Sequence, residues 1–458
     1  MRGTGGSSAT STGSSERGLQ SSRECRWGDV GEHAVRAYYR DKRKVYGVRN
    51  HVLILPTTLC VNRVAEMIWE EFRDERWGDA GENRVIVIKH ASGCCHVGFE
   101  RDVTFRTLLG VASHPNVYGV LLVSLGCGQL CKRPLSPGED KRANLEAFKL
   151  YDRLVKRGVK AYWVNVQERA LLREYTDGLE QAVELGRKFV RRLVEGARSL
   201  KRVEAPLSRF VIGVGNGASD PTSGLFANPA LGYVVDYLVK HGASVVFSQT
   251  TEVLGAEKYL FRKVRSGRVA NKLKRLLETA TVLKEALLEY LEESDPTPGN
   301  IASGISTLTE KSLGSVLKIG HDSGVEISDV LPYAHKVPRG GGLYFMDGPG
   351  EDVQAITGMV AGGAHVIVFT TGLGTPVGSP VSPVIKVTAN KSTYERLKSL
   401  IDVYLPIEEL FGNGASLREI ALKYLYPAIL EVMSGDKLSR SEELGQVDFD
   451  IRGYWLRA

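Results

Sequence analysis

The amino-acid sequence predicts an α/β protein with two α/β domains, each built on a mainly parallel sheet covered by helices. Short runs rich in Val, Ile and Leu alternate along the chain with segments of helical periodicity. Gly-rich or polar clusters follow most of these runs directly. Continuous apolar strands are typical of parallel sheets buried on both faces, and such sheets bind ligands at the carboxyl ends of their strands. We therefore expect active-site loops at these strand ends.

Each predicted element follows from this alternation. Nine apolar runs predict strands over 52–55, 85–88, 117–123, 161–164, 210–214, 244–247, 343–345, 366–369 and 384–387. Helical periodicity predicts helices over 62–73, 102–113, 142–157, 169–197, 229–241, 256–292, 311–318, 352–361, 393–401 and 415–433.

The beginning of the chain differs in composition from the rest. It is rich in Gly and Ser, and residues 1–50 hold ten Lys or Arg against five Asp or Glu, within a net charge of +7 for the whole chain. Such a segment is typical of disorder, so we expect the fold to begin near Val45. A long charged helix ends near Leu200, and Phe210 opens a new strand. The predicted segments are a disordered basic leader over 1–44, a first α/β domain over 45–200 and a second over 201–458.

Charge and composition exclude several classes of protein. Because the basic excess lies in the leader, the body of the chain is nearly neutral, and we expect no nucleic-acid partner. The uncharged stretch 353–385 contains nine Gly or Pro residues, which favours buried core over a membrane span. All six cysteines lie before residue 132, and the first residues lack the apolar core of a secretory signal. We therefore expect a cytoplasmic protein with free thiols.

Glycine is enriched in the loops that follow strands. It accounts for 50 of 458 residues, above the usual share of about 7%. Neither 372–378 nor 213–217 has the spacing of a dinucleotide fingerprint, and neither a P-loop nor a Gly-x-Ser-x-Gly elbow occurs. These glycines instead favour close approach of backbone N–H groups to an anionic ligand.

Thiols and imidazoles occupy the loops of the first domain. The candidates are His90, Cys94, Cys95, His96, Cys127 and Cys131. The cysteine spacing matches no standard zinc or iron–sulfur pattern, and thiols packed as small hydrophobic groups are the alternative. The two histidines flank a Gly-Cys turn, which suits a metal or acid–base role as well as a structural one.

Three carboxylates follow strands in the second domain, namely Asp220, Glu252 and Glu257. Solvated helix caps would account for them. Their placement beside Ser219 and Thr251 would equally suit a polyhydroxy acid or a hard divalent cation.

Eight segments, in order along the chain, carry a resemblance to one known family. They run from about Tyr46 to Asp402 and include Gly47-Val-Arg49-Asn50, His114-Pro-Asn116, Ser219-Asp220, Asn228-Pro229, Thr251-Glu252, Glu310-Lys311, Asp347-Gly-Pro349-Gly350 and Gly374-Thr375-Pro376. Together they resemble the altronate/galactarate dehydratase family, to which sulfolactate sulfo-lyase large subunits also belong.

The resemblance implies a metal-dependent hydro-lyase that converts an altronate- or galactarate-like sugar acid to a 2-keto-3-deoxy acid, with Fe²⁺ or Mn²⁺ as cofactor. Removing the proton α to a carboxylate and expelling the β-hydroxyl needs a cation, a base and an acid. The expected catalytic residues are His90, Cys94, Asp220 and Glu252, and the expected metal ligands are His90, His96 and Glu257. The expected substrate-binding residues are Cys127, Asn216, Ser219, Asn228, Thr251, Lys311, Gly374, Thr375 and Lys386.

The sequence departs from the family pattern in two respects. Family members often carry a small N-terminal SAF-type domain, and the leader is too short for one. The resemblance is therefore to a large subunit, and it implies a separate small SAF-domain subunit in an oligomer. In addition, Cys95, Asn216 and Gln249 stand where relatives usually have Gly, Cys and Glu. These changes keep two alternatives open: a sulfo-lyase that releases sulfite from a sulfolactate-like acid, and a divergent non-catalytic subunit that binds a sugar acid.

Overall fold

The computed structural model describes residues 34–93, 98–125, 146–167, 178–288, 296–412 and 414–451. Within them the strands form three sheets. In chain order the strands are β1 (Ala34–Arg40), β2 (Val45–Gly47), β3 (His51–Pro56), β4 (Arg76–Trp77), β5 (Asn83–Val87), β6 (Val117–Ser124), β7 (Lys160–Asn165), β8 (Arg202–Pro206), β9 (Val211–Gly217), β10 (Ser244–Phe247), β11 (Ile327–Leu331), β12 (Gly342–Met346), β13 (Val366–Thr371), β14 (Val384–Thr388) and β15 (Val403–Tyr404).

Helices connect these strands and cover the sheets. In chain order they are α1 (Asn62–Trp69), α2 (Gly98–Ala112), α3 (Glu146–Lys156), α4 (Leu179–Arg198), α5 (Asn228–Lys240), α6 (Glu257–Arg262), α7 (Gly267–Leu288), α8 (Pro298–Ala302), α9 (Leu308–Val316), α10 (Asp352–Ala361), α11 (Lys391–Arg396), α12 (Glu408–Gly412), α13 (Leu417–Ile420), α14 (Tyr426–Ser434) and α15 (Arg440–Glu443).

The first parallel sheet has the strand order β4-β5-β3-β6-β7, with β4 antiparallel at its edge. Every residue of β3 and β6 is buried. Val52 and Ile54 pack with α1 and α4 on one face, whereas Leu53 and Leu55 pack with α2 and α3 on the other. Because alternate residues enter two different cores, these strands are continuous apolar runs in the sequence.

The second parallel sheet has the order β11-β12-β10-β9-β13-β14-β15, with every strand parallel to its neighbours. Val214 of the central strand β9 lies in register between Phe247 of β10 and Val368 of β13. From β9 the chain builds one side of the sheet through β12, and then crosses to the other side at β13. This reversal beside β9 is a topological switch point, where α/β sheets form a crevice at the carboxyl ends of strands.

A third, antiparallel sheet corrects the predicted extent of the leader. Strand β1 pairs with both β2 and β8, with Ala34 opposite Pro206 and Tyr38 opposite Gly47. The disorder predicted over 1–44 is therefore wrong for residues 34–44, which form β1 and a short turn. Residues 1–33 lie outside the described residues.

Helices α2 and α10 join the two parallel sheets. Gly110 of α2 approaches Ala361 so closely that a Cβ atom would stand 2.3 Å from the Ala361 carbonyl oxygen. One turn earlier, Arg106 Nε donates to the carbonyl oxygen of Tyr333 at 2.8 Å, and the Tyr333 ring packs against Gly358 of α10. The two helices therefore run side by side in the same direction. Their starts, and the carboxyl ends of the strands that precede them, lie at the same end of the molecule.

The predicted α/β class is confirmed, and all nine apolar runs coincide with observed strands. The helix predicted over 256–292 is instead broken between α6 and α7. The helix predicted over 415–433 contains a π-helical turn at Ala421–Leu425, just before Pro427, whose ring nitrogen has no hydrogen to donate. Residues 353–385 form α10, β13 and the start of β14, as expected of buried core.

Among the residues that the structure describes, no helix has both the length and the apolar character needed to cross a membrane.

Candidate active site

Polar side chains gather where three neighbouring strands of the second sheet end. Asn216 lies near the end of β9, Gln249 and Glu252 follow β10, and Asp352 follows β12 at the start of α10. Lys311 reaches the same place from α9. We call this the strand-edge cluster, and its members are Asn216, Gln249, Glu252, Lys311, Ser315, Lys318 and Asp352.

Gln249 links two elements of the strand-edge cluster. Its Nε2 donates to the carbonyl oxygen of Asn216 at 2.8 Å and to Asp352 Oδ1 at 3.0 Å. Its Oε1 accepts from the Asn216 backbone N–H at 3.2 Å. The residue is buried and has a φ of 71°, in the left-handed region that a non-glycine residue occupies at a cost. Such strain persists where surrounding contacts enforce it, and here they fix the end of β9 against the start of α10.

Glu252 and Lys311 form an ion pair at the centre of the cluster. Lys311 Nζ lies 2.9 Å from Glu252 Oε1, and each side chain is less than a tenth exposed, at 9% and 8%. The second carboxylate oxygen of Glu252 accepts from Asn216 Nδ2 at 3.5 Å. Because the pair is largely removed from water, the two charges depend on each other and on the polar groups around them.

Lys318 lies beneath this ion pair with no exposed surface. Its Nζ donates to Asn216 Oδ1 at 2.5 Å and to Ser315 Oγ at 2.7 Å, and Ser315 Oγ donates to the same Asn216 oxygen at 2.7 Å. Burial lowers the pKa of Lys318 to about 8, and the negative charge of Glu252 limits the fall. The amine is therefore near its titration point close to neutral pH and holds Asn216 in place.

The pKa of Asp352 is shifted upward, in the direction opposite to that of Lys318. Burial raises the pKa of Asp352 to about 8, and the charges of Glu252 and Glu351 add to the rise, against the opposing effects of Lys311 and the Gln249 hydrogen bond. The carboxyl group therefore keeps its proton at neutral pH. A carboxylate paired with a lysine, Glu252, and a protonated carboxyl group, Asp352, thus share one site, and acid–base catalysis uses carboxyl groups in two such different environments.

A second polar group lies beside this cluster, because Asn216 is in register with Thr370 on β13. Thr370 Oγ1 donates to Asn228 Oδ1 at 2.5 Å. Thr371 Oγ1 lies 3.2 Å from Thr375 Oγ1 and accepts from the Gly374 N–H at 3.0 Å. The predicted substrate-binding residues of this loop therefore come together at the switch point of the sheet.

Asp220 has a mainly structural environment at the same edge. Its carboxylate accepts from Thr222 Oγ1 at 2.8 Å, from the Ser223 N–H at 2.7 Å and from Asn390 Nδ2 at 2.7 Å. A Cβ atom at Gly372 would stand 2.1 Å from its Oδ1, so only glycine fits there. These contacts hold the loops after β9 and β13 together and argue against a catalytic role for this buried carboxylate.

Ser219 and Thr251 also lie at this edge. The carbonyl oxygen of Ser219 accepts from Asn300 Nδ2 at 2.9 Å, which ties α8 to the loop after β9. A Cβ atom at Gly350 would stand only 2.4 Å from Thr251 Oγ1. Both residues therefore lie at the same edge as the cluster, and their binding of substrate hydroxyls stays a prediction.

Other predicted site residues lie elsewhere or have different partners. Lys386 Nζ donates to Gln446 Oε1 at 2.7 Å, away from the strand-edge cluster, and burial lowers its pKa to about 8. Glu257 Oε1 accepts from the Gly255 N–H at 2.7 Å, in the turn just before α6. The predictions for Cys94, His96 and Cys127 fall outside the described residues.

His90 has both ring nitrogens engaged with the backbone. Its Nε2 donates to the Pro56 carbonyl oxygen at 2.9 Å, and its Nδ1 accepts from the Ser92 N–H at 3.2 Å. The side chain is also buried. This arrangement orients the loop after β5 and leaves neither nitrogen directed at a metal ion, contrary to the role predicted from the resemblance.

The residues that the structure describes do not by themselves supply the expected metal site. Among them, no three His, Cys, Asp or Glu side chains are grouped so that they could hold a metal ion. Glu252 is paired with Lys311, and the Asp220 carboxylate is held by three donors.

Two members of the strand-edge cluster, Lys318 and Asp352, were not among the predicted site residues. Lys318 lies seven residues after Lys311, two helical turns along the same face, which was a readable signal. Asp352 follows Asp347-Gly-Pro349-Gly350, a strand-end motif like those that were selected. Burial shifts the pKa values of both side chains, and this burial arises only when the helices and strands pack together.

An α/β sheet with polar and ionisable groups gathered at its switch point is typical of enzymes that act on small polar ligands. Comparison with family models identifies the family. Residues 207–455 match the model described as D-galactarate/Altronate dehydratase, C-terminal, and residues 37–197 match D-galactarate dehydratase/Altronate hydrolase, second domain. The chain belongs to this dehydratase family, which confirms the predicted resemblance.

Curated relatives agree with this assignment. Altronate dehydratase of Bacillus subtilis (strain 168) is 33% identical over 400 residues, covering 86% of this chain and 73% of its own. Altronate dehydratase of Escherichia coli (strain K12) is 31% identical over 366 residues, covering 80% and 68%. (2R)-sulfolactate sulfo-lyase subunit beta of Chromohalobacter salexigens is 28% identical over 418 residues, covering 90% and 95%.

Proposed function

We propose that this protein is a hydro-lyase that dehydrates a sugar acid of the altronate or galactarate type to a 2-keto-3-deoxy acid. The observation that carries the proposal is the strand-edge cluster, where the Glu252–Lys311 ion pair lies beside the protonated carboxyl of Asp352. Family membership and the names of the relatives support the substrate class.

The reaction breaks a C–H bond and a C–O bond on neighbouring carbons. The Lys311 ammonium binds the substrate carboxylate and stabilises the charge that develops as the α-proton leaves. The Glu252 carboxylate accepts that proton, and Asp352 donates its own proton to the departing β-hydroxyl, which leaves as water. The enol that remains takes up a proton at the β-carbon to give the 2-keto acid, and proton exchange with water restores both carboxyl groups.

Other residues of the cluster position these groups. Gln249 donates to Asp352, and Asn216 contacts Glu252, so the two carboxyl groups are oriented by neighbouring strands. Lys318 fixes Asn216 from below. The hydroxyls of Thr371 and Thr375 and the Gly374 loop stand beside the cluster, where they suit the hydroxyls of a polyol chain.

A sulfo-lyase is the second candidate function. The relative named (2R)-sulfolactate sulfo-lyase subunit beta aligns over 95% of its own length, more than either altronate dehydratase. Loss of sulfite from the β-carbon would use the same base and the same ammonium group.

We also propose that this chain works as a large subunit with a separate small one. The designation of that relative as subunit beta supports this proposal.

We also propose a requirement for Fe²⁺ or Mn²⁺, which the family resemblance supports. When bound, such an ion would neutralise the substrate carboxylate and the charge that builds on it. Metal content of the purified protein, with activity before and after chelation and after return of each ion, tests the requirement. Full activity in metal-free protein would contradict it.

The test of the function is product formation from a panel of aldonic, aldaric and sulfonated hydroxy acids, with release of 2-keto acid and of sulfite measured separately. We expect keto acid without sulfite, and a loss of about 10²- to 10⁴-fold in turnover for Glu252→Gln. Glu278→Gln on the exposed face of α7 is the matched control and should turn over normally. Equal activity of E252Q would overturn the proposed chemistry, and sulfite release would select the second candidate. The same panel, repeated with a small partner subunit captured from source cells, tests the subunit proposal.

A further inference from the structure

A cavity lies at the far end of α10 from the strand-edge cluster. It has a volume of about 430 Å³ and lies between the end of α2, the segment 334–339 and the turn after α10. Asp352 begins α10, whereas Gly362 and Gly363, just after its end, line this cavity. A ten-residue helix is about 15 Å long, so the two sites are separate.

The lining of this cavity is strongly basic. Its five cationic residues come from four separate places in the chain and are Arg43, Arg106, Arg157, Lys336 and Arg339. Among the described residues that line it, none is Asp or Glu. We call this site the basic cavity. A folded protein seldom collects so much charge of one sign in one cavity unless something of the opposite sign enters it.

The charges in the basic cavity act on each other. Burial lowers the pKa of Arg43 to about 10, and the charges of Arg339 and Arg157 contribute to the fall. Burial and the charges of Arg339, Arg157 and Arg43 likewise lower the pKa of Lys336. Repulsion among these cations therefore costs free energy that a bound anion would offset.

The hydrogen bonds of these side chains bear on two explanations for the basic lining, namely capping of α2 and binding of an anion. Arg43 donates to the carbonyl oxygens of Val117, at 3.1 Å, and Ser113, and Arg157 donates to Ser113 Oγ at 3.1 Å. These two cations could simply cap the end of α2. That explanation does not cover Arg339, whose Nε is buried without a hydrogen-bond partner. A buried guanidinium N–H without a partner is costly and points to a missing acceptor.

We propose that the basic cavity binds a small oxyanion with several negative charges, such as a phosphorylated or polycarboxylate metabolite. Guanidinium groups bind both carboxylate and phosphate through paired N–H···O bonds. A cavity of about 430 Å³ suits a small metabolite and lies within the range of ordinary ligand pockets. Lys336 and Arg157 are exposed at its edge, where they can attract the anion, and Arg339 Nε supplies an unused donor.

Isothermal titration calorimetry of the full chain tests this with two probes at constant ionic strength. Pyrophosphate represents phosphate-bearing metabolites, and citrate represents polycarboxylates. We expect one of them to bind at a single site, and the tighter of the two identifies the ligand chemistry. Arg339→Gln and Lys336→Met should each weaken that binding about tenfold or more, as loss of a charge-assisted hydrogen bond does.

Two controls make the result specific. Arg192→Gln, on the exposed face of α4, changes the net charge equally and should bind as the unmodified protein does. Glu252→Gln should also retain binding, so a failure of the proposed catalytic role cannot be mistaken for a failure of this site. The proposal is overturned if neither probe binds at millimolar concentration, or if binding is unchanged in both R339Q and K336M. Equal weakening in R192Q would also overturn it, because binding would then depend on net charge alone. K336M alters an exposed side chain, so its result stands even if R339Q does not fold.

Discussion

The strand-edge cluster and the basic cavity lie at opposite ends of α10 and differ in how their charges are arranged. Opposite charges pair in the cluster, whereas charges of one sign gather in the cavity. In the cluster, Lys311 is paired with Glu252, and a second carboxyl group keeps its proton. In the cavity, cations face other cations. A site whose charges pair with one another suits proton transfer, whereas a site that gathers like charges suits the binding of a ligand of opposite charge.

The largest expected effect comes from breaking the compensated pair. Lys311→Met leaves Glu252 as a buried carboxylate without its cation, so we expect turnover to fall about 10³-fold and unfolding free energy to fall by about 3 kcal/mol. Steady-state kinetics and urea unfolding measure the two effects. Lys274→Met on exposed α7 is the control and should change neither. Wild-type stability in K311M would mean that the pair is not buried as described.

A smaller effect is expected at the contact between α2 and α10 that borders the basic cavity. Gly110→Ala places a methyl group against the Ala361 carbonyl, and overpacking of this kind costs about 1–3 kcal/mol. Gly267→Ala is the matched control, because nothing lies within 4 Å of a Cβ atom there. Thermal unfolding should separate the two variants, and equal midpoints would contradict the close packing of α2 on α10.

The pH dependence of the unfolding free energy tests the protonation of Asp352 at the start of α10. The pKa of Asp352 rises from 3.8 to about 8 on folding, chiefly through burial. Between these values the folded state holds the extra proton, so the stability from protonated Asp352 is complete below its unfolded pKa and is lost as pH rises through about 8. Asp352→Asn should flatten that decline in urea unfolding measured across this range. A decline as steep as that of the unmodified protein would show that another group is responsible.

The smallest effect is expected in the basic cavity without ligand. Lys336→Met removes one cation from a repelling set, so the protein should become slightly more stable, by a few tenths of a kcal/mol at low salt. The gain should disappear at high ionic strength, where exposed charges are screened. Thermal unfolding at two salt concentrations measures it, and a gain independent of salt would contradict an electrostatic cause.

The sequence predicted the parallel sheets well because their strands are buried on both faces. Strands such as β3 and β6 are uninterrupted apolar runs. Strand β1 was missed since its sequence, AVRAYYR, mixes arginines with aromatic residues and depends on β8, more than 160 residues away, for pairing. A surface strand of this kind carries little local signal.

The candidate site was predicted in part for the same reason. Asn216, Glu252 and Lys311 were selected by their place after strands and in family motifs, and the structure brings these three together. Lys318 and Asp352 act through burial, which no local pattern reports. His90 was assigned a role that its two backbone partners do not support. The basic cavity was beyond prediction, because its cations are scattered from Arg43 to Arg339.

The contact between the early and late parts of the chain has a consequence for synthesis on the ribosome. Arg49, fully buried, binds both carboxylate oxygens of Glu442, at 2.7 and 2.9 Å, across 393 positions of sequence. The backbone N–H of Arg36 donates to Ser434 Oγ at 3.2 Å. Arg36 and Arg49 therefore lack these partners until almost the whole chain has emerged, and contacts of such high sequence separation form slowly. We expect the nascent chain to hold Arg49 in an open, solvated state until α14 and α15 arrive to complete the structure.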